Sequence, residues 1–529
     1  MKVKISLLTI LILFLILFPT NAANYGGNLK IKVEQRPFNL NPIYAANETA
    51  LMINNQIFDT LISYNSQGKL TANLAESWQV NKDSTVYNFK LKKNIYFHSY
   101  KIKEGEVPLN ERSVTAEDWK WSLEYLAAAR NKSPYAELLA KIKGYDKFRQ
   151  GKSKEIAGIR VLDTYNLEIE LKQSYAPFIY NLAKRAAVVM PAEAVLNKDF
   201  NFSLTPVGTG PFKFGGFFKN KVTLLKNDNY WKNNYQDQNT PYLNQIEINF
   251  VEGKILKNNL QKFDLYQLNS EEFSAFQQQK NNFSDYQIMK FENSYIYFAA
   301  FNYKSDLHFN SSQMNFKESI RDIINKNDFP AALNFNNLIL PGASSNNQQL
   351  LAKIRENLVK NDSATLDNEL NNLSLTINNS KTAIKIAEYM KNQLKSKDIK
   401  LEVKKYNWAE YFKKVKSQNI DSQLFIMSSK YSSRFQFIYD NFYSTSAKNY
   451  FGYHNSRVDN MIDYLKLISS RQNREKAYEI ITEILINDNP FVFLLQGADS
   501  YLISSKIKNE ELFKNVYSKY NFEMLYFEQ

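Results

Sequence analysis

No cysteine occurs anywhere in the 529-residue chain. That absence removes disulfides, thiolate metal sites, iron–sulfur clusters and cysteine nucleophiles together, and it leaves no thiol for a lipid anchor. Histidine is nearly as scarce. His98, His308 and His454 are the only three, and the nearest two are separated by more than a quarter of the chain. No local ligand spacing arises from them, and neither a metal nor another cofactor is expected. Glycine (15) and proline (13) are few, which excludes collagen-like and linker-dominated architectures. Catalytic signatures are missing as well. Gly208-Thr209-Gly210-Pro211 lacks the third glycine of a dinucleotide loop and the Gly-Lys-Ser/Thr of a P-loop. Neither a G-x-S-x-G elbow nor an S-x-x-K box occurs. Two carboxylates brought together by folding stay open as enzymatic machinery, but nothing local points to an enzyme.

What is present describes an exported globular chain. Hydrophobic residues make up 44% and charged residues 23%, and the length suffices for two or more domains with sizeable cores. At the N-terminus, Lys2 and Lys4 precede an uncharged stretch from Ile5 to Phe18 made almost entirely of Leu, Ile and Phe. Pro19 ends it, and Thr20-Asn21-Ala22 places small residues ahead of Ala23. This is the three-part pattern of a signal peptide over residues 1–22, too short for a comfortable membrane span, with an uncleaved anchor as the competing reading. No later stretch approaches 18 apolar residues. A periplasmic location without a lipid anchor follows as the expectation. The formal charge is +14. The lysines are scattered among Glu and Asp rather than gathered in a tract, so solvated basic faces are expected and nucleic acid is not a partner.

Periodicity alternates between strand and helix. Asn28 to Glu34 and Val86 to Leu91 alternate as strands, and residues 159–171 form two strands around the Asp163-Thr164 turn. Ala50 to Leu61 carries helical spacing, and Thr115-Ala116-Glu117-Asp118 opens a second helix as a capping box. Thr376 to Lys397 predicts a turn and an amphipathic helix, followed by a strand from Ile399 to Val403. Arg474 to Ile486 predicts a helix stopped by Asn489-Pro490 before the strand Phe491 to Leu495. Asn346 to Asn372 commits to little beyond a surface helix and loops. The class is α/β with several lobes.

Local passages in a fixed order carry a family resemblance. They include Leu40-Asn41-Pro42, Phe58-Asp59-Thr60-Leu61, Leu74-Ala75-Glu76-Ser77-Trp78 and Ser133-Pro134-Tyr135-Ala136. Further on come Pro206-Val207-Gly208-Thr209-Gly210-Pro211-Phe212, Trp408-Ala409-Glu410-Tyr411 and Asp488-Asn489-Pro490. The chain resembles the extracellular solute-binding proteins of the peptide/nickel type, the ligand-capturing components of ABC importers, and most of all the oligopeptide- and dipeptide-binding ones. The resemblance implies a two-lobed periplasmic binding protein fold (type II) with an extra subdomain inserted in the first lobe. It implies lobe I at 23–58, 189–266 and 493–529, the inserted subdomain at 59–188, and lobe II at 267–492. Thr209-Gly210-Pro211 and Thr115 to Asp118 would then be structural. The implied function is capture of a peptide or peptide-like ligand by a monomer that closes on it and hands it to a membrane permease.

One segment departs from that pattern. Peptide-binding relatives hold the ligand ammonium with an aspartate in Trp-x-x-Asp-Tyr-x-x-Pro. Here the gapless counterpart is Met427-Ser428-Ser429-Lys430-Tyr431-Ser432-Ser433-Arg434, with lysine in place of the aspartate. Lys430, joined by Arg434, then points to an acidic or N-blocked ligand, while a shifted alignment or a lysine reaching into solvent is the plainer reading. Met427, Ser428, Ser429 and Tyr431 belong to the same candidate site. Asn47, Glu48 and Tyr135 join it from the first lobe by position, Tyr135 being equally explained as a packing residue. A non-transport interaction protein with a decayed cleft is the alternative function.

Overall fold

Leu29, Ile31 and Val33 alternate with Lys30 and Lys32, and this period-two pattern builds β1 (Asn28–Val33), with the three apolar side chains buried on one face. The computed structural model describes residues 26–528 except 66–67, 102–111, 234–239, 254–259, 269–271, 274–275, 277–283, 304–316, 318–319, 321–322, 325–371, 431–432, 469 and 511–519. Most of the weakly committed stretch from Asn346 to Asn372, and the N-terminal residues 1–25, lie outside that set.

Helix α1 (Glu48–Ile57) starts two residues earlier than its periodicity suggests and ends short of Leu61. The Asn47 side chain sets the start by accepting a hydrogen bond from the Ala50 amide at 2.7 Å. Strands β2 (Ile62–Tyr64) and β3 (Leu70–Ala72) pair with each other. A separate antiparallel sheet then forms from β4 (Ala75–Val80) and β5 (Val86–Leu91), with helix α2 (Ala116–Ala127) packed on β6 (Ile159–Asp163) and β7 (Asn166–Glu170). Its strand order is β4-β5-β7-β6, with β6 and β7 joined through Asp163-Thr164 as the sequence predicts.

The start of α2 is the expected capping box. The Thr115 amide and hydroxyl both donate to Asp118 Oδ2, at 2.9 and 3.1 Å. Arg112 closes on the same carboxylate with two bonds, 2.7 and 3.0 Å, and on Glu193 with two more. Asp118→Ala removes a cap and leaves a half-buried guanidinium short of a partner. A loss of about 2 kcal/mol is expected, read as a lower urea midpoint with an unchanged slope.

The remaining long strands make one ten-stranded sheet. They are β8 (Phe212–Phe218), β9 (Lys221–Lys226), β10 (Gln245–Phe250), β11 (Leu265–Leu268), β12 (Tyr286–Phe301) and β13 (Asn372–Asn378), then, after helix α3 (Lys381–Lys395), β14 (Lys400–Tyr406). Helix α4 (Trp408–Lys416) leads to β15 (Leu424–Lys430). Helices α5 (Arg434–Phe442), α6 (Ser456–Leu467) and α7 (Arg471–Asp488) precede β16 (Phe491–Ser504). The order across the sheet is β14-β13-β15-β12-β16-β11-β1-β10-β9-β8, and the last two strands of the chain, β17 (Ile507–Lys508) and β18 (Tyr526–Phe527), pair on their own. β13, α3 and β14 form a parallel crossover unit, since β13 and β14 run in register from Asn372–Lys400 to Asn378–Tyr406.

Two corrections to the sequence reading come from this sheet. Thr376 lies inside β13, with its hydroxyl accepting from Ser422 Oγ at 2.8 Å, and the turn begins only after Asn378. The strand after Pro490 runs well past Leu495, to Ser504. The long strands β12 and β16 are therefore shared by both halves of the sheet. Near their C- and N-terminal ends, respectively, they pair in the β13–β15 half, through Tyr295 to Phe301 against β15. At the other end Ser500 to Ile503 pairs with β11. Their mutual register breaks between Glu292 and Ile296. A second shift follows between Tyr297 and Phe298, and such irregularities kink the strand and increase its twist locally.

Burial follows the same division. One large core joins β1, α1, α2 and the small sheet around Ile31, Ile57, Leu123 and Phe178. The other half of the sheet is covered on both faces, with alternate residues of each strand pointing to opposite sides. Phe298, Phe425 and Met427 meet α5, α6 and α7 through Phe437, Phe442, Ile462 and Ile481. Ala299, Phe301, Leu424 and Ile426 meet α3 through Ile386 and Met390. Tyr175, beside the small sheet, packs edge-on against Phe435 of α5 at 6.0 Å, so the two bodies touch away from the crossover as well.

Candidate functional site

The turn at the C-terminal end of α1 is fixed by close approach. A Cβ at Gly208 would lie 2.1 Å from the Ile57 carbonyl oxygen, and one at Gly210 would lie 2.4 Å from that of Gln56. No side chain fits, so the Gly-Thr-Gly segment seats directly on the end of α1. Thr209 Oγ1 donates to Asp59 at 3.1 Å, as does Trp231 Nε1, and Asn73 supplies a third donor at 3.3 Å. Burial raises the Asp59 carboxyl above the ordinary range despite Lys232 and these donors. The segment is scaffold, as the resemblance implies.

At the opposite end of α1 lie three of the sequence candidates. Asn47 is spent on the helix cap. Glu48, exposed in the first turn where a carboxylate suits the helix dipole, accepts from the Tyr520 hydroxyl at 3.0 Å. Tyr135 donates to the Ala45 carbonyl at 2.6 Å, which ties it to the loop leading into α1. Burial and then the nearby Glu48 charge raise the Tyr135 hydroxyl above its ordinary value, so it stays a donor. These three residues therefore share one rim.

The structure adds residues that the sequence did not single out. Tyr520 holds a left-handed backbone at φ 69°, and its carbonyl accepts from Asn55 and Gln56 of α1 at 2.7 and 2.5 Å. Its hydroxyl is 3.3 Å from that of Tyr501 on β16. Burial, Glu48 and Asp499 push that hydroxyl well above its ordinary range. The Arg185 guanidinium lies 5.6 Å from the Tyr520 ring centre and donates to the Leu51 carbonyl at 3.2 Å. Burial lowers its pKa, an effect that Tyr520 and Glu48 oppose. The rim thus combines a carboxylate, a cation and three hydroxyls beside a crossover strand. No local pattern marks this set, because Glu48 and Tyr520 are 472 residues apart.

The second-lobe candidates are on β15 and just beyond it. Met427 is buried against the α5–α7 layer, and Ser428 is exposed. Ser429 is half-buried and accepts from Asn441 of α5 at 3.1 Å. Lys430 is the last residue of β15 and pairs with Tyr295 of β12; its side chain and the whole of Tyr431 lie outside the described residues. Arg434 is buried between α5 and α7, 3.0 Å from Glu475 and with its guanidinium 4.6 Å from the Tyr478 ring centre. The β15 end and the first-lobe rim flank the same crossover. Ser429 pairs with Ile296, which pairs with Gln496, and Tyr501 follows five residues further along β16. At 3.3–3.4 Å per residue that separation is about 17 Å. Among the described residues no cluster of three or more His, Asp or Glu is arranged to hold a metal.

One detail bears on the alignment through Lys430. Ser433 caps α5, its hydroxyl accepting from the Gln436 amide at 3.1 Å, so Arg434 occupies the first helical position. That is the place where proline is favoured in helices, and the resembled pattern has proline there. The gapless register is therefore physically consistent with a helix start at this point.

Comparison with known proteins places the chain firmly. Residues 69–449 match the family model "Bacterial extracellular solute-binding proteins, family 5 Middle". The oligopeptide-binding protein OppA of Bacillus subtilis is 26% identical over 256 residues, covering 44% of each chain, so that match spans less than half of the relative. The oligopeptide-binding protein AppA of the same organism is 23% identical over 503 residues, covering 89% of this chain and 86% of the relative. Its structure in complex with a nonapeptide superimposes with TM-score 0.59 at 17% identity, over 96% of this chain and all of that one. The periplasmic murein tripeptide-binding protein MppA, in its unliganded open form, gives TM-score 0.74 at 17% identity over 96% of this chain and 99% of that one. The fold is therefore the two-lobed periplasmic binding protein fold, and the chain belongs to the family 5 bacterial extracellular solute-binding proteins.

Proposed function

We propose that this protein is the substrate-binding component of an ABC importer for peptides or peptide-like solutes. It works as an exported monomer that captures ligand between two lobes and delivers it to a membrane permease. The observation that carries the reading is the crossover of β12 and β16. Their register breaks between Glu292 and Ile296, with the Glu48–Tyr520 rim on one side and the end of β15 on the other. A polar rim and a strand end on either side of a kinked pair of crossover strands are suited to capture by closure, with ligand shifting the population to the closed form. The kinship to peptide-binding proteins supports the substrate class. Catalysis is not part of this reading.

The finer assignment concerns the ligand's charge. With Lys430 at the clamp position, the second lobe offers a cation where peptide-binding relatives offer a carboxylate, which favours an acidic or N-blocked ligand. In this reading Ser428, Ser429 and Tyr431 contribute polar contacts to the ligand, and Glu48, Asn47 and Tyr135 contribute from the first lobe. Met427 and Arg434 support the strand and helix from beneath. Native mass spectrometry of the protein isolated from its own host, before and after denaturation, tests this. Release of acidic or N-blocked peptide-like compounds is the expected result. Free-amino peptides would keep the importer and overturn the charge assignment. A protein that releases nothing, and whose radius of gyration does not fall with any peptide offered, would favour the interaction-protein alternative.

A further inference from the structure

Helix α4 breaks the usual rule for a surface helix. Tyr411 and Val415 face the sheet and are buried, and the Tyr411 hydroxyl donates to the Ile426 carbonyl. The flank of the helix should then be polar. Instead Trp408 is 57% exposed and Phe412 39% exposed, one turn apart, with rings stacked at 5.8 Å and 16°. Tyr450 meets Phe412 edge-on at 6.1 Å and extends the aromatic ridge. Trp408 is the only exposed member of the five tryptophans.

The charge around the ridge has a positive excess. Between residues 400 and 421 there are six lysines and three carboxylates. Lys404 and Lys414 are both engaged by Asp421, through its carbonyl at 2.6 Å and its carboxylate at 3.4 Å. Lys400, Lys405, Lys413 and Lys416 are exposed, and Glu402, Glu410 and Asp421 are the exposed acidic groups among them. Lysines alone would be explained as guards of the edge strand β14. That explanation does not reach the stacked tryptophan, which an edge guard has no use for.

We propose that α4 is a membrane-facing surface that docks the second lobe on anionic phospholipid. Trp408 and Phe412 enter the headgroup region, where amphipathic rings are favoured, and Lys405, Lys413 and Lys416 meet the anionic headgroups. The inference does not rest on the transport reading. A chain without a thiol for lipidation would gain from it a reversible hold on the bilayer. Each lysine near an anionic surface contributes about 1 kcal/mol, or roughly fivefold in affinity, so three together give on the order of 100-fold.

The test uses the full chain with phosphatidylcholine vesicles, alone or with a third of phosphatidylglycerol, followed by co-sedimentation and tryptophan emission. Expected are a preference on the order of 100-fold for the anionic vesicles, a blue shift on binding, and loss of both in ~1 M salt, where the Debye length falls to about 3 Å. The triple variant Lys405→Glu, Lys413→Glu, Lys416→Glu should lose the preference. The double variant Trp408→Ser, Phe412→Ser should lose the blue shift and bind at least tenfold more weakly. Both change exposed residues, and an unchanged circular dichroism spectrum and melting temperature verify that they fold. Equal binding by all three proteins would overturn the proposal and assign the affinity to the apolar stretch from Ile5 to Phe18. Binding only to vesicles that carry membrane protein would overturn it too, in favour of an acidic protein partner.

Discussion

Lys430→Asp is expected to shift the preference between a free-amino tripeptide and its N-acetylated form by on the order of 1000-fold toward the free amine. The argument is electrostatic. Two unit charges about 8 Å apart interact by roughly 2 kcal/mol at an effective dielectric near 20, so replacing repulsion by attraction is worth about 4 kcal/mol, and each ~1.4 kcal/mol is tenfold in affinity. Lys430 ends β15 and is held in the ladder by Tyr295, four residues ahead of the helix whose first position is Arg434. The proposed clamp assigns this position, at the end of β15, to the ligand's charge. Titration calorimetry with trialanine and N-acetyl-trialanine on the two proteins reads the effect directly. Lys430→Met separates its parts, since losing the repulsion should recover about half of the shift on a logarithmic scale. An identical ratio for wild type, Lys430→Asp and Lys430→Met would remove Lys430 from the ligand's surroundings while leaving capture by closure intact.

The features legible in the sequence were those decided within a few residues. The α2 cap was visible because Thr115 and Asp118 satisfy each other's backbone at a fixed spacing of three. The β6–β7 hairpin and the stop at Asn489-Pro490 were local in the same sense, and Asn489 indeed ends α7 in a left-handed conformation. Where the chain's own pattern was overridden, the cause was a distant partner. The strand Phe491 to Leu495 is bounded by where its apolar run stops, yet β16 continues to Ser504 because β12 pairs along nearly its whole length. Thr376 reads as a turn, yet Ser422 and the parallel neighbours of β13 draw it into a strand. The candidate site shows the same divide. Asn47, Glu48 and Tyr135 were chosen by position in motifs and do share one rim. Tyr520, Tyr501 and Arg185 complete that rim from elements hundreds of residues away, and nothing in their own neighbourhoods announces it. Arg434 was chosen for its charge, and the charge is met by Glu475, a contact that only packing of α5 on α7 reveals.

The second large effect expected is a loss of stability in mild acid that His98 controls. His98 is buried, with Nε2 donating to the Gly210 carbonyl at 2.9 Å and its own amide donating to that of Gly208 at 2.8 Å. Its Nδ1 is buried without a hydrogen-bond partner. Burial drives the ring pKa down from 6.5 to about 4, outweighing the Gly210 hydrogen bond, and Lys213 adds a smaller push in the same direction. The folded protein therefore holds a neutral imidazole where the unfolded chain is protonated. Between pH 6.5 and 4 the unfolded state binds more protons, so stability falls as pH falls through that window, and the loss is complete below the folded value. Integration gives about 2 kcal/mol lost by pH 5 and about 3 kcal/mol by pH 4 from this one group. His98→Gln keeps a donor near Gly210 and cannot titrate. It should cost some stability at pH 7 and show a pH dependence flatter than wild type by about 2 kcal/mol between pH 7 and pH 5. Urea unfolding of both proteins at the two pH values measures the difference, and carboxylates elsewhere cancel in the comparison. Parallel pH profiles would mean that the ring takes up its proton in the folded state, which requires a path for water to the seat of the Gly208–Gly210 turn. The acid sensitivity would then belong to other buried groups, of which Asp59 is excluded by sign: its raised carboxyl pKa favours the folded state as pH falls.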